Sequence, residues 1–314
     1  WLTTEQGVNC IHKERIYRFN EKSGLTNNSI SYFYSYQNNK LFVGTNGNGV
    51  NVISKDNLSI STVINPDNIN GLEISGIKLI NDKLWITTPY SIAIFKFDGK
   101  NYVLEQEITQ LLGKNIQNLY TLETDNKNRI WLSCFGNGIY LIDGADTLCY
   151  NSSNLLPSNS VLTIFSDSKD HLWISINQNG LIKFDGKDIV TFTKNDKLKD
   201  HTIHSIAEDK NGLMYFGYKT AGMSTFDGAN FRHYSKKDGL LSNMVNAITF
   251  DNNNNCWIGT EKGINKFSFN SSFQISSLLS FNESNGLITE EIKQNVLVFD
   301  GKYVWAATNE GLFM

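Results

Sequence analysis

Apolar and polar positions alternate in short runs along this chain, and one phrase of the pattern returns about every 42 residues. The phrase opens with an aromatic anchor, continues through an apolar residue into small or polar ones, and passes a turn into a second alternating run. Each run predicts a β-strand, because successive side chains of a strand point to opposite faces. The eight anchors are Trp1, Phe42, Trp85, Trp131, Trp173, Tyr215, Trp257 and Trp305.

Each copy of the phrase predicts four strands. A run upstream of the anchor ends on an acid six positions earlier, as Asp167 precedes Trp173, and turn-forming residues follow it. Beyond the anchor, a turn usually closed by glycine and then an Asp-Gly turn introduce two more strands. Four short strands in about 42 residues make one propeller blade. The sequence therefore predicts an all-β protein, a single β-propeller domain over residues 1–314, with strands A to D from the axis outward.

The number of blades stays open at this point. The pattern contains eight B and eight C strands but seven A and seven D strands, so the sequence begins and ends within a copy. Two B strands cannot occupy one sector, which favours eight blades, with an inner strand for the first copy upstream of this chain. Seven blades are the alternative, if the strand near Asn295 closes the first blade and Trp305 lies outside the ring. Residues 109–113 predict one helical turn.

Composition narrows the set of partners. The chain has 28 basic and 31 acidic residues and a net charge of −3, so it lacks the excess of basic residues that nucleic acid or an anionic membrane would require. It contains no apolar run of 18 residues, which argues against a membrane span, and it shows no signal peptide. The cysteines have neither metal nor disulfide spacing, so we expect buried free thiols and no cofactor or metal. They are Cys10, Cys134, Cys149 and Cys256.

The sequence gives no sign of catalysis. The recurring acids are expected to cap turns, because a unique catalytic group would not return in every copy. No nucleophile elbow, zinc-binding helix or phosphate loop occurs. His201 and His204 lie three apart, so in a strand they would point to opposite faces, which disfavours a metal site. We expect no enzymatic activity; the alternatives are a propeller enzyme similar to a polysaccharide lyase or glycosidase, and a protein interaction scaffold.

A ligand site is expected where the copies differ, since shared positions are needed for packing. Tyr90, Phe135 and Tyr218 place aromatic rings in the B–C turns of the third, fourth and sixth copies, which lie at one axial end. Such rings suit stacking on a sugar, although each could instead pack on the adjacent blade. The D–A loops form the second candidate region, near the mouth of the axial channel. There the usual small residues are replaced by His201, His204, Glu290, Glu291 and Lys114.

The repeat itself resembles the two-component regulator propeller repeat. The resemblance is carried by Ser242-Asn-Met-Val-Asn-Ala-Ile-Thr-Phe-Asp through Trp257-Ile-Gly-Thr-Glu-Lys-Gly-Ile-Asn-Lys-Phe, and it extends over the whole chain. Two copies depart from it: Thr88-Pro-Tyr lacks the turn glycine, and Tyr215 replaces tryptophan.

This resemblance implies a sensor region, the extracytoplasmic and hence periplasmic half of a membrane histidine kinase or hybrid two-component protein. It implies ligand binding without chemistry, with an oligosaccharide as one kind of ligand. The linker and kinase would lie outside these residues, and a homodimer of the full receptor is compatible with this reading. No nucleic acid partner is expected.

Overall fold

The chain folds into a ring of seven four-stranded antiparallel sheets, which confirms the predicted all-β propeller and corrects the favoured count of eight blades. The structure is a computed structural model that describes residues 2–4, 7–9, 16–36, 39–69, 73–193, 196–270, 273–285, 287, 291–308 and 310–314. Within each of blades one to six, the strands follow one another in chain order across the sheet.

The strands group by blade as follows. Before blade one, the chain forms β1 (Leu2–Thr4), β2 (Gly7–Asn9) and β3 (Arg18–Phe19). Blade one has β4 (Ile30–Tyr36), β5 (Lys40–Thr45), β6 (Val50–Ser54) and β7 (Ile60–Ile64). Blade two has β8 (Gly76–Ile80), β9 (Lys83–Thr87), β10 (Ile92–Phe97) and β11 (Tyr102–Ile108), and a hairpin of β12 (Gln110–Leu111) and β13 (Lys114–Asn115) follows it. Blade three has β14 (Leu119–Thr124), β15 (Ile130–Cys134), β16 (Gly138–Asp143) and β17 (Asp146–Tyr150).

The remaining blades repeat the arrangement. Blade four has β18 (Val161–Ser166), β19 (Leu172–Ile176), β20 (Gly180–Phe184) and β21 (Ile189–Phe192). Blade five has β22 (Ile203–Glu208), β23 (Met214–Tyr218), β24 (Met223–Phe226) and β25 (Phe231–Tyr234). Blade six has β26 (Val245–Phe250), β27 (Cys256–Thr260), β28 (Gly263–Phe269) and β29 (Ile275–Phe281). Blade seven has β30 (Leu297–Phe299), β31 (Val304–Thr308) and β32 (Gly311–Phe313), with β3 as its outer strand.

Ring closure explains why the count is seven. The outer strand of blade seven comes from the other end of the chain, because β3 pairs with β32 and Tyr17 exchanges backbone hydrogen bonds with Met314. The sequence pattern had assigned that strand to the first copy. Trp305, placed outside the ring in the seven-blade alternative, is fully buried inside it. In the described part of the first copy, β1 pairs with β2 alone; Trp1 and Cys10 lie outside the described residues.

The loop after blade two corrects a second expectation. Residues 109–113 do not form a helical turn; they contribute to the β12–β13 hairpin, whose tip has Leu112 and Gly113 at positive φ. Short 3-10 turns lie instead in other connections, at Glu21–Ser23, Pro66–Asn68, Lys236–Asp238 and Glu283–Asn285. Among the residues described, no helix has the length and apolar character to cross a bilayer.

Trp173 shows how an anchor fills the space between two blades. Trp173 is 2% exposed; it stacks on Phe192 of its own outer strand and packs against Phe216 and Phe226 of blade five. Its indole N–H donates to Asp167 at 2.8 Å. Interior side chains of this size contribute strongly to stability, since their removal leaves a cavity.

The recurring acids cap the A–B hairpins as expected, and they also bind the anchors. Asp167 accepts backbone N–H groups of Lys169 and His171 at 2.9 and 2.8 Å in addition to the Trp173 indole. Burial alone would raise the pKa of this carboxyl, but the hydrogen bonds from Trp173 and His171 hold it below its ordinary value. Asp125 and Asp251 have lowered pKa values for the same reasons.

The glycine that follows the anchor pair permits close contact between blades. A Cβ at Gly259 would lie 2.7 Å from Cγ2 of Ile292, so a larger residue would push the blades apart. The turn glycine has a different role: Gly180 has a φ of +88°, and a Cβ there would lie 2.4 Å from the carbonyl oxygen of Phe192.

Three of the cysteines lie among the described residues. Cys134, Cys149 and Cys256 are free thiols, and burial raises the pKa of Cys134 to about 12. Two of them are fully buried, so they pack as small apolar side chains.

We predict that Trp173→Ala lowers the free energy of unfolding by about 3–5 kcal/mol, because it opens a cavity between blades four and five. Denaturant unfolding would measure the loss, with Trp173→Phe as the control that keeps one aromatic ring but loses the indole N–H and part of the side-chain volume. A loss below about 1 kcal/mol for the alanine variant would contradict the packing described here.

We also predict that the free energy of unfolding decreases at acidic pH. The folded-state pKa values of Asp125, Asp167 and Asp251 lie below their unfolded values, so these carboxylates stabilise the fold above about pH 4. That stabilisation is lost as the pH falls through the folded pKa values. Urea midpoints should be nearly level from pH 7 to 5 and fall below pH 4. In the variant with all three aspartates changed to asparagine, the urea midpoint should fall less below pH 4. A wild-type midpoint that stays constant down to pH 3 would exclude a stabilising role for these carboxylates.

Candidate functional site at the loop face

The two ends of the ring differ in what they carry. The A–B hairpins and C–D turns lie at one end, and the D–A loops and B–C turns lie together at the other. Backbone hydrogen bonds join loop to turn there, as from Asn46 to Ser29 at 2.9 Å and from Lys219 to Thr202 at 3.1 Å. We call this end the loop face; all five residues of the sequence-based site belong to it.

Near the mouth of the axial channel, the inner strands of several blades each contain one residue without a partner on strand B. In five blades the register of the inner strand shifts between its first and third residues, so the second residue has no partner on strand B. Such a bulge redirects a side chain and is frequent next to functional sites. We call these the mouth residues: Ser31, Tyr120, Leu162, His204 and Asn246.

Blades two and three together form an exposed aromatic group, which we call the aromatic patch: Tyr90, Tyr120 and Phe135. Tyr90 is 54% exposed and Tyr120 is 51% exposed, whereas Phe135 is half-buried. The rings of Tyr120 and Phe135 lie 5.9 Å apart, and the N–H of Leu119 donates to the carbonyl of Pro89 at 3.2 Å. The turn of blade two is therefore bonded to the inner strand that carries Tyr120.

Tyr218 does not belong to the aromatic patch: the structure contradicts its assignment to an exposed B–C turn and agrees with the alternative that such a ring packs on the adjacent blade. It is fully buried among the apolar side chains between blades four and five, and burial raises the pKa of its hydroxyl to about 12. The reason is its distance from the anchor. Tyr218 lies three residues after Tyr215 and pairs with Ile203, at the position that Cys134 and Thr260 occupy in their blades. Those residues are buried as well.

The two histidines have different environments on blade five. His204 is a mouth residue whose Nδ1 lies 3.2 Å from Oδ1 of Asn246, and burial lowers the pKa of its imidazole despite that hydrogen bond. The carbonyl of His201 accepts from the N–H of Gly180 at 3.3 Å, and its Nδ1 is buried without a partner among the described residues. Neither histidine belongs to the aromatic patch of blades two and three.

A short segment before blade seven covers one side of the mouth; we call residues 292–295 the mouth segment. The side chain of Gln294 donates to the carbonyl of His204 at 3.1 Å, and Asn246 donates to the carbonyl of Ile292 at 2.8 Å. Lys293 Nζ donates to Ser29 Oγ at 2.9 Å. The segment therefore bonds blades five, six and one. Of the predicted loop acids, Glu291 is exposed nearby and Glu290 lies outside the described residues.

Below the mouth, the inner strands enclose a channel of about 350 Å³. Lys78 and Glu123 form an ion pair there between blades two and three. The two residues occupy equivalent positions opposite the anchors Trp85 and Trp131. The equivalent residues of blades one and four, Tyr34 and Phe165, are aromatic.

A cavity of about 710 Å³ lies between blades six and seven and is not our candidate site. Its lining includes Asp251 and Asn252 of one A–B hairpin and Gly301 and Lys302 of the next, so it lies toward the end of the ring opposite the loop face.

Sequence reasoning missed Tyr120, Asn246 and Gln294. Tyr120 was hidden because the pattern predicts alternation, and a residue in a bulge belongs to neither face of the strand. A usable signal exists: the position after the first inner-strand residue holds a different chemical type in each bulged copy, whereas the residue before it is apolar in all five.

Comparison with known proteins assigns the repeat. The family described as two component regulator propeller matches residues 239–262, which enter blade six and include its anchor. One repeat of the chain, in blade six, therefore matches the two-component regulator propeller repeat. No curated protein matches the sequence significantly.

Solved structures share the fold of this propeller. The extracellular domain of BT3049 from B. thetaiotaomicron, assigned as a hybrid two component system, has a TM-score of 0.81 at 20% identity. The match covers 95% of this chain and 40% of that one, so the present chain spans less than half of its length. A catalytically inactive virginiamycin B lyase from Staphylococcus aureus with Quinupristin has a TM-score of 0.72 at 16% identity, covering 95% and 97%. PorZ of Porphyromonas gingivalis, a surface component of the type-IX secretion system, has a TM-score of 0.65 at 17% identity, covering 94% and 47%.

We predict that truncation of Tyr218 and truncation of Tyr120 lower the stability of the protein by very different amounts. Tyr218→Ala should cost about 3–5 kcal/mol, because a buried ring is removed, whereas Tyr120→Ala should change the free energy of unfolding by about 0.5 kcal/mol or less. Chemical denaturation of both variants measures this. Equal losses would mean that Tyr120 belongs to the packing of the ring and cannot be a contact surface for a ligand.

Proposed function

We propose that this chain is a non-catalytic sensor propeller of a two-component signal transduction protein, located outside the cytoplasm, that binds a small molecule at its loop face. The observation that carries the proposal is the aromatic patch, where Tyr90 and Tyr120 expose half of their surface beside the channel mouth. The regulator propeller repeat and the likeness to an extracellular domain of a hybrid two component system support the sensor role.

An oligosaccharide fits the chemistry of this surface best. Aromatic rings offer a flat apolar face to the C–H face of a pyranose, and they lose little side-chain entropy on binding. The tilted pair of Tyr120 and Phe135, with ring centroids 5.9 Å apart, presents two such faces beside a polar mouth. Around the ring, blade three lies opposite blades six and seven, where Gln294 is exposed and Asn246 is buried with its amide bonded to Ile292 and His204. A ligand across the mouth would meet apolar surface on one side and the amide of Gln294 on the other.

The acids of the repeat support a binding role over a catalytic one. The carboxylates of Asp125, Asp167, Asp251 and Asp300 each accept an anchor indole N–H, so they are engaged in the structure of the hairpins at the end opposite the patch. On the loop face, Asp200 accepts hydrogen bonds from Thr220 and Thr202. The lyase shares the fold with this chain, and a shared fold carries no activity with it.

Signalling would depend on regions beyond these residues. The chain corresponds to 40% of the extracellular domain that it resembles, and the linker, membrane helix and kinase of the proposed receptor would be further parts of it. Within that receptor the propeller supplies the ligand contact, and a homodimer would transmit it.

The test is calorimetric titration of the chain with a panel of oligosaccharides, followed by Tyr120→Ala and Phe135→Ala variants against the best binder. Each variant should lose about 0.5–1.5 kcal/mol, or roughly two- to twelve-fold in Kd, with an unchanged melting temperature. Phe97→Ala is the matched control, because this exposed aromatic residue lies at the opposite end of the ring.

Two results would contradict the proposal. Affinity that is unaltered in both patch variants would remove the ligand from the aromatic patch. Chromatography of the incubated sugars tests the non-catalytic role, and shortened or unsaturated products would show that the propeller is an enzyme.

A further inference from the structure

Charge is distributed unevenly over the loop face. The B–C turns of blades one to four, residues 46–49, 88–91, 135–137 and 177–179, contain no charged side chain, although 19% of the chain is charged. The loop into blade four, residues 151–160, is uncharged as well. The B–C turns of blades five to seven carry Lys219, Glu261, Lys262 and Glu310. The uncharged turns of blades one to four flank the aromatic patch, and we call them the uncharged sector; the D–A loops into blades one to three beside them carry Glu21, Lys22, Asp67, Glu73 and Lys114.

The mouth residues add no charge near the axis of the ring. Ser31, Tyr120, Leu162 and Asn246 carry no charge, and burial lowers the pKa of His204, which keeps its imidazole neutral at pH 7. Lys219, Asp200 and Asn246 are the polar neighbours that act on this histidine, and their effects do not outweigh its burial.

The charges that approach the mouth are satisfied within the protein. Lys78 is paired with Glu123 in the channel, and Arg18 is paired with Glu310 at 3.1 Å. Lys293 donates to Ser29 and is influenced by two acids, Glu73 and Glu291. Among the exposed lysines of this face, Lys114 on the inserted hairpin is the one nearest to the patch in sequence. The others lie on the loops and turns of blades one, five and six: Lys22, Lys197, Lys199, Lys219, Lys236, Lys237 and Lys262.

Sites for carboxylate, sulfate or phosphate need cations or convergent N–H groups, because an anion that loses its water requires a compensating charge. The uncharged sector offers instead amides, hydroxyls and aromatic rings, including the exposed side chains of Asn46 and Gln178. Amides both donate and accept, which suits the hydroxyl groups of a neutral sugar.

We infer that the loop face selects an electrically neutral, hydroxyl-rich ligand and rejects its carboxylated or sulfated counterparts. This inference rests on the proposed function and specifies the ligand class of the same site. An acidic ligand on the patch would lose hydration against aromatic surface without gaining an ion pair, whereas the neutral ligand of the same shape would keep all of its contacts.

The experiment compares matched oligosaccharides that differ only in the carboxylate, such as oligomers of galactose with those of galacturonic acid and oligomers of glucose with those of glucuronic acid. Calorimetry at 0.1 M salt should show the neutral member binding at least about tenfold more tightly, a factor equal to 1.4 kcal/mol. Gln178→Lys should then strengthen binding of the acidic member, and Gln178→Glu should weaken it further. Ala229→Lys, at an exposed turn of the opposite face, is the control and should change neither.

The outcomes separate this inference from the proposed function. Acidic members that bind as tightly as their neutral partners, with affinity still reduced by Tyr120→Ala, would overturn the neutral selectivity and leave the sensor proposal intact. Absence of binding for both members of every pair would count against the sensor proposal and this inference together. Neutral preference that shifts with the charge at position 178 but not at position 229 would support the inference.

Discussion

The fold depends on one hydrogen bond, from the indole N–H of an anchor to the carboxylate that caps the preceding hairpin. It recurs at Trp131, Trp173, Trp257 and Trp305, with N–O distances from 2.7 to 3.0 Å. The bond satisfies a polar atom on a ring that is otherwise packed among apolar side chains, and a buried donor without a partner would be costly. It also fixes the hairpin that joins the inner two strands. The 42-residue period of the sequence is largely the period of this pair.

Further hydrogen-bond and ion-pair partners of these carboxylates stabilise the hairpins and, at two places, join neighbouring blades. Arg129 and His171 serve within their own hairpins. Where Tyr215 replaces tryptophan, the free oxygen of Asp209 accepts from Asn254 of the next blade at 2.9 Å. At the closure, Lys55 of blade one lies 3.6 Å from Asp300 of blade seven, and both side chains are buried. A buried ion pair is strongly destabilising to break, so this contact reinforces a joint whose β ladder is only two residue pairs long.

The sequence was sufficient for everything set by local spacing. Strand order, hairpin caps and the positions of anchors follow from residues within one copy, and the structure confirms them. Blade number did not follow, because the outer strand at Arg18–Phe19 can be assigned to blade seven only by a contact between chain ends. The site shows the same division. Phe135 and Tyr218 look alike in a list of aromatic turn residues, but one follows strand B and the other ends it. Tyr120 was missed because a bulge interrupts the alternation used to read the strand.

The position of the candidate site relative to the closure has a mechanical consequence. The ring closes through blade seven, and the mouth segment reinforces that side through bonds from Lys293 to blade one and from Gln294 to blade five. The aromatic patch lies on blades two and three, where consecutive chain and complete four-stranded sheets hold the blades together. A ligand bound there acts on the continuous part of the ring, so its binding energy is not opposed by opening of the short closing ladder. The surface that varies among copies is thus placed where variation endangers the fold least.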